Sequence, residues 1–150
     1  MLRQSEDFVF LTACCIVLDV QSGVLQYANA GHPPPLYLKG GQSPRPLSIS
    51  EVVEQPAIPL FEETQYTTCE VELSPNDMVF IYTDGLVEAE DDDQNQYGVD
   101  RLIDSLLSRA DGSGTSILSG LAEDAARFSS GPDFEDDVCM AGLRFFGSPA

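Results

Sequence analysis

Met78-Val79-Phe80-Ile81-Tyr82-Thr83-Asp84-Gly85 sets the architecture of this 150-residue chain. Five consecutive large apolar residues predict a strand buried on both faces, because a half-exposed strand alternates. Thr83-Asp84-Gly85 ends the run, so a carboxylate stands where a buried strand leaves the core. Asp136-Asp137 mirrors the arrangement, an acidic doublet directly before the apolar Val138-Cys139-Met140-Ala141-Gly142-Leu143. If the two strands are neighbours, their aspartates converge. Oxygen donors gathered in this way suit a hard divalent cation such as Mg²⁺ or Mn²⁺.

Working outward, Thr68 to Leu73 alternates as a half-exposed strand does, and Ser74-Pro75-Asn76-Asp77 turns it into the buried run. Phe8 to Leu18 reads as a central strand. Asp19 to Gly23 is a turn, and Val24 to Ala28 returns as its hairpin partner. Asn29-Ala30-Gly31-His32-Pro33-Pro34-Pro35 is a stiff loop, since proline neither donates to a ladder nor continues a helix. Leu36-Tyr37-Leu38 is a short strand, and Gln42 to Thr64, with its prolines, is irregular connection. Helical spacing follows at Val99, Leu102, Ile103, Leu106 and Leu107, then at Ile117, Leu118, Leu121, Ala125 and Phe128. Gly131-Pro132 breaks the second helix before a last strand over 137–145. Hairpins, two helices and a final strand make an α+β fold with antiparallel pairing. A buried opening strand needs neighbours on both sides, which implies further strands upstream of Met1.

Twenty-five acidic residues against 7 basic ones give a net charge of −18. Such a surface repels nucleic-acid backbones and anionic membrane, so neither is an expected partner. The N-terminus has no signal-peptide pattern and no apolar stretch is long enough to span a bilayer, making the cytoplasm the expected location. The cysteines, at 14, 15, 69 and 139, lie in apolar stretches without CxxC spacing and read as buried, reduced thiols. Asp91-Asp92-Asp93 begins no calcium loop, because Gln96 and Leu102 occupy the glycine and bidentate-glutamate slots. Gly112-Ser113-Gly114-Thr115 lacks the lysine of a phosphate loop and links the helices. His32, the single histidine, has no nucleophile signature near it and reads as structural.

Four segments in order resemble the SpoIIE-type, RsbU-like serine/threonine phosphatases, the bacterial branch of the metal-dependent type 2C-like family. They are Phe10-Leu11-Thr12-Ala13 leading to Leu18-Asp19, Tyr27 to Pro34, Tyr82 to Ala89, and Asp136-Asp137-Val138. The resemblance implies a sandwich of antiparallel sheets with helices outside and a two-metal site at one end. It assigns Asp84 and Asp136 as ligands of Mn²⁺ or Mg²⁺, with Asp137 either ligating in turn or orienting its neighbour. Beside a structural role for the His32 loop, the alternative expectation is that Gly85, Asn29 and His32 border the active-site edge without performing chemistry. It also implies attack by metal-activated water on phosphoserine or phosphothreonine of a regulatory protein, typically a STAS-type anti-sigma-factor antagonist. An upstream sensory or receiver domain is expected in the parent protein.

Two departures stand against that pattern. The family's Gly-Asp hairpin, whose aspartate bridges the metals, has no counterpart, since no Gly-Asp pair occurs in the sequence. Cys139 takes the place of a threonine, and a thiol supports a neighbouring carboxylate less well than a hydroxyl. Residues 1–150 therefore read as the C-terminal portion of a phosphatase domain, an incomplete sandwich with two outer helices, expected to hold at most one metal. The reading from a different class is a non-catalytic interaction module with an incomplete metal site.

Overall fold

The computed structural model describes residues 11–40, 42–47, 55–58, 65–129 and 134–147. The first hairpin joins β1 (Ala13–Leu18) to β2 (Val24–Ala30) in antiparallel register, Ile16 facing Tyr27. Asp19 closes its turn by accepting the Gln21 N–H at 2.9 Å on Oδ1. Gly23 completes it at φ +77°, where a Cβ would sit 2.9 Å from the Leu73 carbonyl oxygen, so only glycine fits. The other edge of β2 pairs with β5 (Cys69–Glu72), giving a three-stranded sheet of order β1-β2-β5.

The second sheet runs β4-β3-β6-β7, all antiparallel, from β3 (Leu36–Leu38), β4 (Arg45–Pro46), β6 (Met78–Tyr82) and β7 (Met140–Arg144). The alternation of side chains across a strand explains why β6 carries no polar face. Val79 meets Tyr37, Leu143, Leu25 and Tyr27 in a core between the two sheets. Met78, Phe80 and Tyr82 meet the helices in a second core with Leu36 and Leu38. Those helices are α1 (Asp84–Val87), α2 (Gly98–Ser108) and α3 (Gly114–Phe128). α2 buries Leu102 and Leu106, and α3 buries Ile117, Leu121 and Ala125. Each large apolar side chain removed from water in this way stabilises the fold by about 1.5–3 kcal/mol.

Several boundaries and faces differ from the sequence reading. The strand expected over Phe8 to Leu18 runs from Ala13 to Leu18 and, among the described residues, pairs on one side only, with Val17 57% exposed. Phe8 to Phe10 and Gly131-Pro132 lie outside the described residues. β2 continues to Ala30, two residues past its expected end, because Ala13 and Cys14 pair with Ala30 and Asn29. Within 42–64, Arg45–Pro46 pairs with β3 and Leu11 bridges Ile58, so that connection is partly ordered against both sheets. The one-turn α1 has no apolar period long enough to detect. Val99 and Leu107 stay 36% and 39% exposed at the margins of their helix stripe. Cys15 and Cys139 are exposed and Cys14 and Cys69 half-buried, all free, correcting the expectation of buried thiols.

Among the described residues, one buried charge is built into the sheet. Asp77, 1% exposed at the entry to β6, accepts the Tyr37 hydroxyl at 2.6 Å, Ser74 N–H at 2.9 Å and Gly40 N–H at 3.0 Å. Burial opposes its charge, but these donors and Lys39 outweigh it and hold the carboxyl below its ordinary value. Burial first, and then Asp77, pushes the Tyr37 phenol up to about 12.

Candidate metal centre

β6 and β7 are hydrogen-bonded neighbours, Tyr82 facing Met140, so Asp84 and the Asp136-Asp137 doublet emerge at the same end of one sheet. The last strand, expected from 137, joins the ladder only at Met140. Its partner β6 ends at Tyr82, where Asp84 opens α1, and Thr83 holds what lies beyond. The Thr83 backbone N–H donates to Cys139 O at 3.0 Å, while its hydroxyl donates to Asp137 O at 2.9 Å and accepts from Cys139 N at 2.8 Å. One backbone bond to Cys139 and the Thr83 side chain thus hold residues 137–139 beyond the end of the ladder.

Asp84 opens α1, with Thr83 extended ahead of it at φ −85°, ψ 158°. Leu86 is fully buried beneath this turn and anchors it to the helix-side core. The exposed Asp84 carboxylate accepts its neighbour's Gly85 N–H at 3.1 Å through Oδ1. The equally exposed Asp136 accepts Asp137 N–H at 2.7 Å through Oδ1. Gly85 allows the two segments to touch, since a Cβ there would lie 2.9 Å from Asp137 O and 3.1 Å from Asp136 O. Its lack of a side chain is a matter of close approach, not of backbone conformation.

Leu36 pairs with Phe80, so the chain entering β3 from His32 comes in at the end where β6 leaves for Asp84. The loop is held internally. Asn29 Oδ1 accepts His32 N–H at 2.9 Å and its Nδ2 donates to His32 O at 2.7 Å. Gly31, at φ +68°, packs where a Cβ would lie 2.8 Å from Ala57 N. His32 Nδ1 lies 2.9 Å from Pro33 O; a carbonyl only accepts, so this bond puts the proton on Nδ1. Asn29 and His32 therefore brace their own loop. The Asp91 run is likewise self-contained, its Oδ1 accepting N–H groups of Asp93 at 3.0 Å and Asn95 at 2.9 Å.

Among the described residues, no three His, Cys, Asp or Glu side chains gather closely enough to hold a metal ion. The donors at the β6/β7 end fit a hard cation in kind, being carboxylate oxygens on adjoining backbone segments. In number they fit a cation that keeps most of its water, as Mg²⁺ does on one or two carboxylates. Sequence reasoning missed Thr83 and Asp77. Both sit at strand ends beside turn residues, and, Ser74 aside, their side-chain partners are 37 to 56 positions away in the chain. The thiol of Cys139 points to solvent, and its segment is held through backbone groups, so support comes from position 83.

Two stacked antiparallel sheets with helices on one outer face and acidic loops at one end define a type 2C-like phosphatase fold. The chain belongs to the SpoIIE (stage II sporulation protein E) family, whose pattern it matches over residues 1–146, and hence to a protein phosphatase family. It is similar to Protein IcfG of Synechocystis, 26% identical over 132 residues, covering 88% of this chain and 20% of that protein. The RsbU and RsbW domains of Rv1364c from Mycobacterium tuberculosis superpose with a TM-score of 0.67 at 28% identity, covering 92% of this chain and 37% of theirs. The manganese-soaked phosphatase domain of SpoIIE from Bacillus subtilis superposes with a TM-score of 0.71 at 16% identity, covering 93% and 58%. The chain thus spans well under two thirds of the length of each. Phosphatases of this fold are in general metal-dependent, using Mn²⁺ or Mg²⁺.

Proposed function

We propose that residues 1–150 are the C-terminal portion of a metal-dependent protein serine/threonine phosphatase domain. The observation that carries this is the meeting of Thr83-Asp84-Gly85 with Asp136-Asp137 at the end of two paired strands, within a chain of the SpoIIE family. Asp84 and Asp136 would hold Mn²⁺ or Mg²⁺, with Asp137 as a further donor or as the residue that orients Asp136. The bound cation supplies an acidified water and positive charge beside the phosphoryl oxygens. The protein's part is to fix the two carboxylates and to present an open, solvent-facing rim to a phosphorylated loop. Asn29 and His32 shape that rim and transfer no proton. The substrate is phosphoserine or phosphothreonine on a regulatory protein, of the STAS anti-sigma-factor-antagonist type.

A second reading, a non-catalytic interaction module, is favoured by the absence of any Gly-Asp pair and of a three-ligand group among the described residues. A manganese-dependent assay on a phosphoserine peptide separates the two. Residues 1–150 should turn over barely, a longer chain carrying a Gly-Asp hairpin ahead of β1 should turn over, and Asp84→Ala or Asp136→Ala should abolish that turnover. Each lost metal interaction is worth several kcal/mol in the transition state, hence orders of magnitude in rate. Inactivity of the longer chain would favour the interaction module. Full activity of the short one would show that no second half-site is needed.

A further inference from the structure

We propose that Thr83 is the positioning residue of this centre: its hydroxyl is the joint that holds the Asp136-Asp137 segment against the Asp84 turn. The role rests on the metal-centre reading above and goes beyond it. A threonine directly ahead of a helix ordinarily turns its hydroxyl inward to cap the first N–H groups. Thr83 stands at that position and makes no such bond. Its hydroxyl reaches across to the other strand instead, donating to Asp137 O at 2.9 Å and accepting from Cys139 N at 2.8 Å. Both hydrogen-bonding capacities of the side chain are used, and both partners belong to the segment that carries the acidic doublet.

The consequence is geometric. β6 ends at Tyr82 and Asp84 opens α1, so the segment ahead of Cys139 has no strand to pair with, and the hydroxyl takes up its Asp137 carbonyl and Cys139 N–H. With a hydroxyl interposed, residues 136 and 137 fold over Gly85, where their carbonyl oxygens approach to 3.1 and 2.9 Å of the missing Cβ. Asp84 and Asp136 are thereby attached to two backbone segments locked in one register. Carboxylates so fixed bind a cation without first losing the freedom of a loose loop. The joint works through the Cys139 backbone, so it is indifferent to the residue type at 139. Serine keeps both capacities of the hydroxyl, and valine, of the same shape, has neither.

The test is titration of the full 150-residue chain with Mn²⁺ alone, read from the EPR signal of free Mn²⁺, beside hydrogen exchange of the Cys139 amide. Thr83→Val should weaken Mn²⁺ binding by about tenfold or more and speed exchange at Cys139, while Thr83→Ser should keep affinity within about threefold. Thr83→Ala takes the place of Thr83→Val should the latter not fold. Native affinity or native Cys139 protection in the hydroxyl-free variant overturns the proposal, as does a folded Thr83→Ser that loses Mn²⁺. Failure of the underlying reading has another signature. Uptake absent from the unsubstituted chain, or indifferent to Asp84→Asn and Asp136→Asn, removes the centre and with it this role. Uptake that depends on the aspartates but ignores Thr83→Val removes Thr83 alone.

Discussion

One residue with a large effect on stability, Asp77, lies away from the candidate centre. Asp77 is a carboxylate taken out of water and repaid by three donors, each of which would be left unpaired by its removal. Asp77→Ala should cost about 3 kcal/mol, the scale of stranding buried donors, measured by urea unfolding. The pH dependence follows in sign from the lowered carboxyl. Its contribution is complete above its ordinary value of 3.8 and disappears as pH falls through the lower folded value. Wild type should therefore lose stability faster than Asp77→Asn as pH drops below about 4. Equal acid slopes would show that Asp77 is not charged in the fold. Asp84 and Asp136 make the opposite choice. Exposed and each bonded to one adjacent N–H, they are placed by the backbone and kept available to a cation.

At the scale of elements, periodicity located every long segment, and the side chains it grouped are not energetically equal. Leu121 and Leu107 both belong to amphipathic stripes. Leu121 is fully buried between α3 and β6's helix-side face, whereas Leu107 lies 39% exposed at the margin. Leu121→Ala should destabilise by about 3 kcal/mol through lost burial and a cavity, and Leu107→Ala by well under 1. Paired thermal melts check the difference, and equal losses would mean that the helices pack differently. The two helices are also pinned by Asp124, which accepts Ser105 Oγ at 2.6 Å and pairs with Arg109 at 2.9 Å and Arg127 at 3.0 Å. The Arg127 pair is local to α3, but nothing in the local sequence marks the Ser105 and Arg109 contacts, which form only when α2 and α3 pack.

For the whole molecule, charge sets the partners it can approach. With a net charge of −18, the chain should show no appreciable binding to duplex DNA or anionic vesicles at physiological salt, measured by fluorescence anisotropy and co-sedimentation. Micromolar binding that weakens with added salt would contradict this. No helix among the described residues is long and apolar enough to cross a membrane. The sequence by itself determined the α+β class, the hairpin order, the two long helices and the pairing of acidic segments with buried strands. These follow from period, turn chemistry and charge, which are local or additive properties of the chain. Its errors fell where tertiary contact overrides local pattern: cysteines left half or fully exposed, and a one-turn helix too short to have a period. Only the tertiary structure decided that β6 and β7 are neighbours, that Gly85 lies under Asp136 and Asp137, and that the Thr83 hydroxyl ties residues 137 and 139 to the end of β6. Those contacts join residues more than fifty positions apart, and their energies come from close approach and hydrogen-bond geometry that no linear spacing encodes.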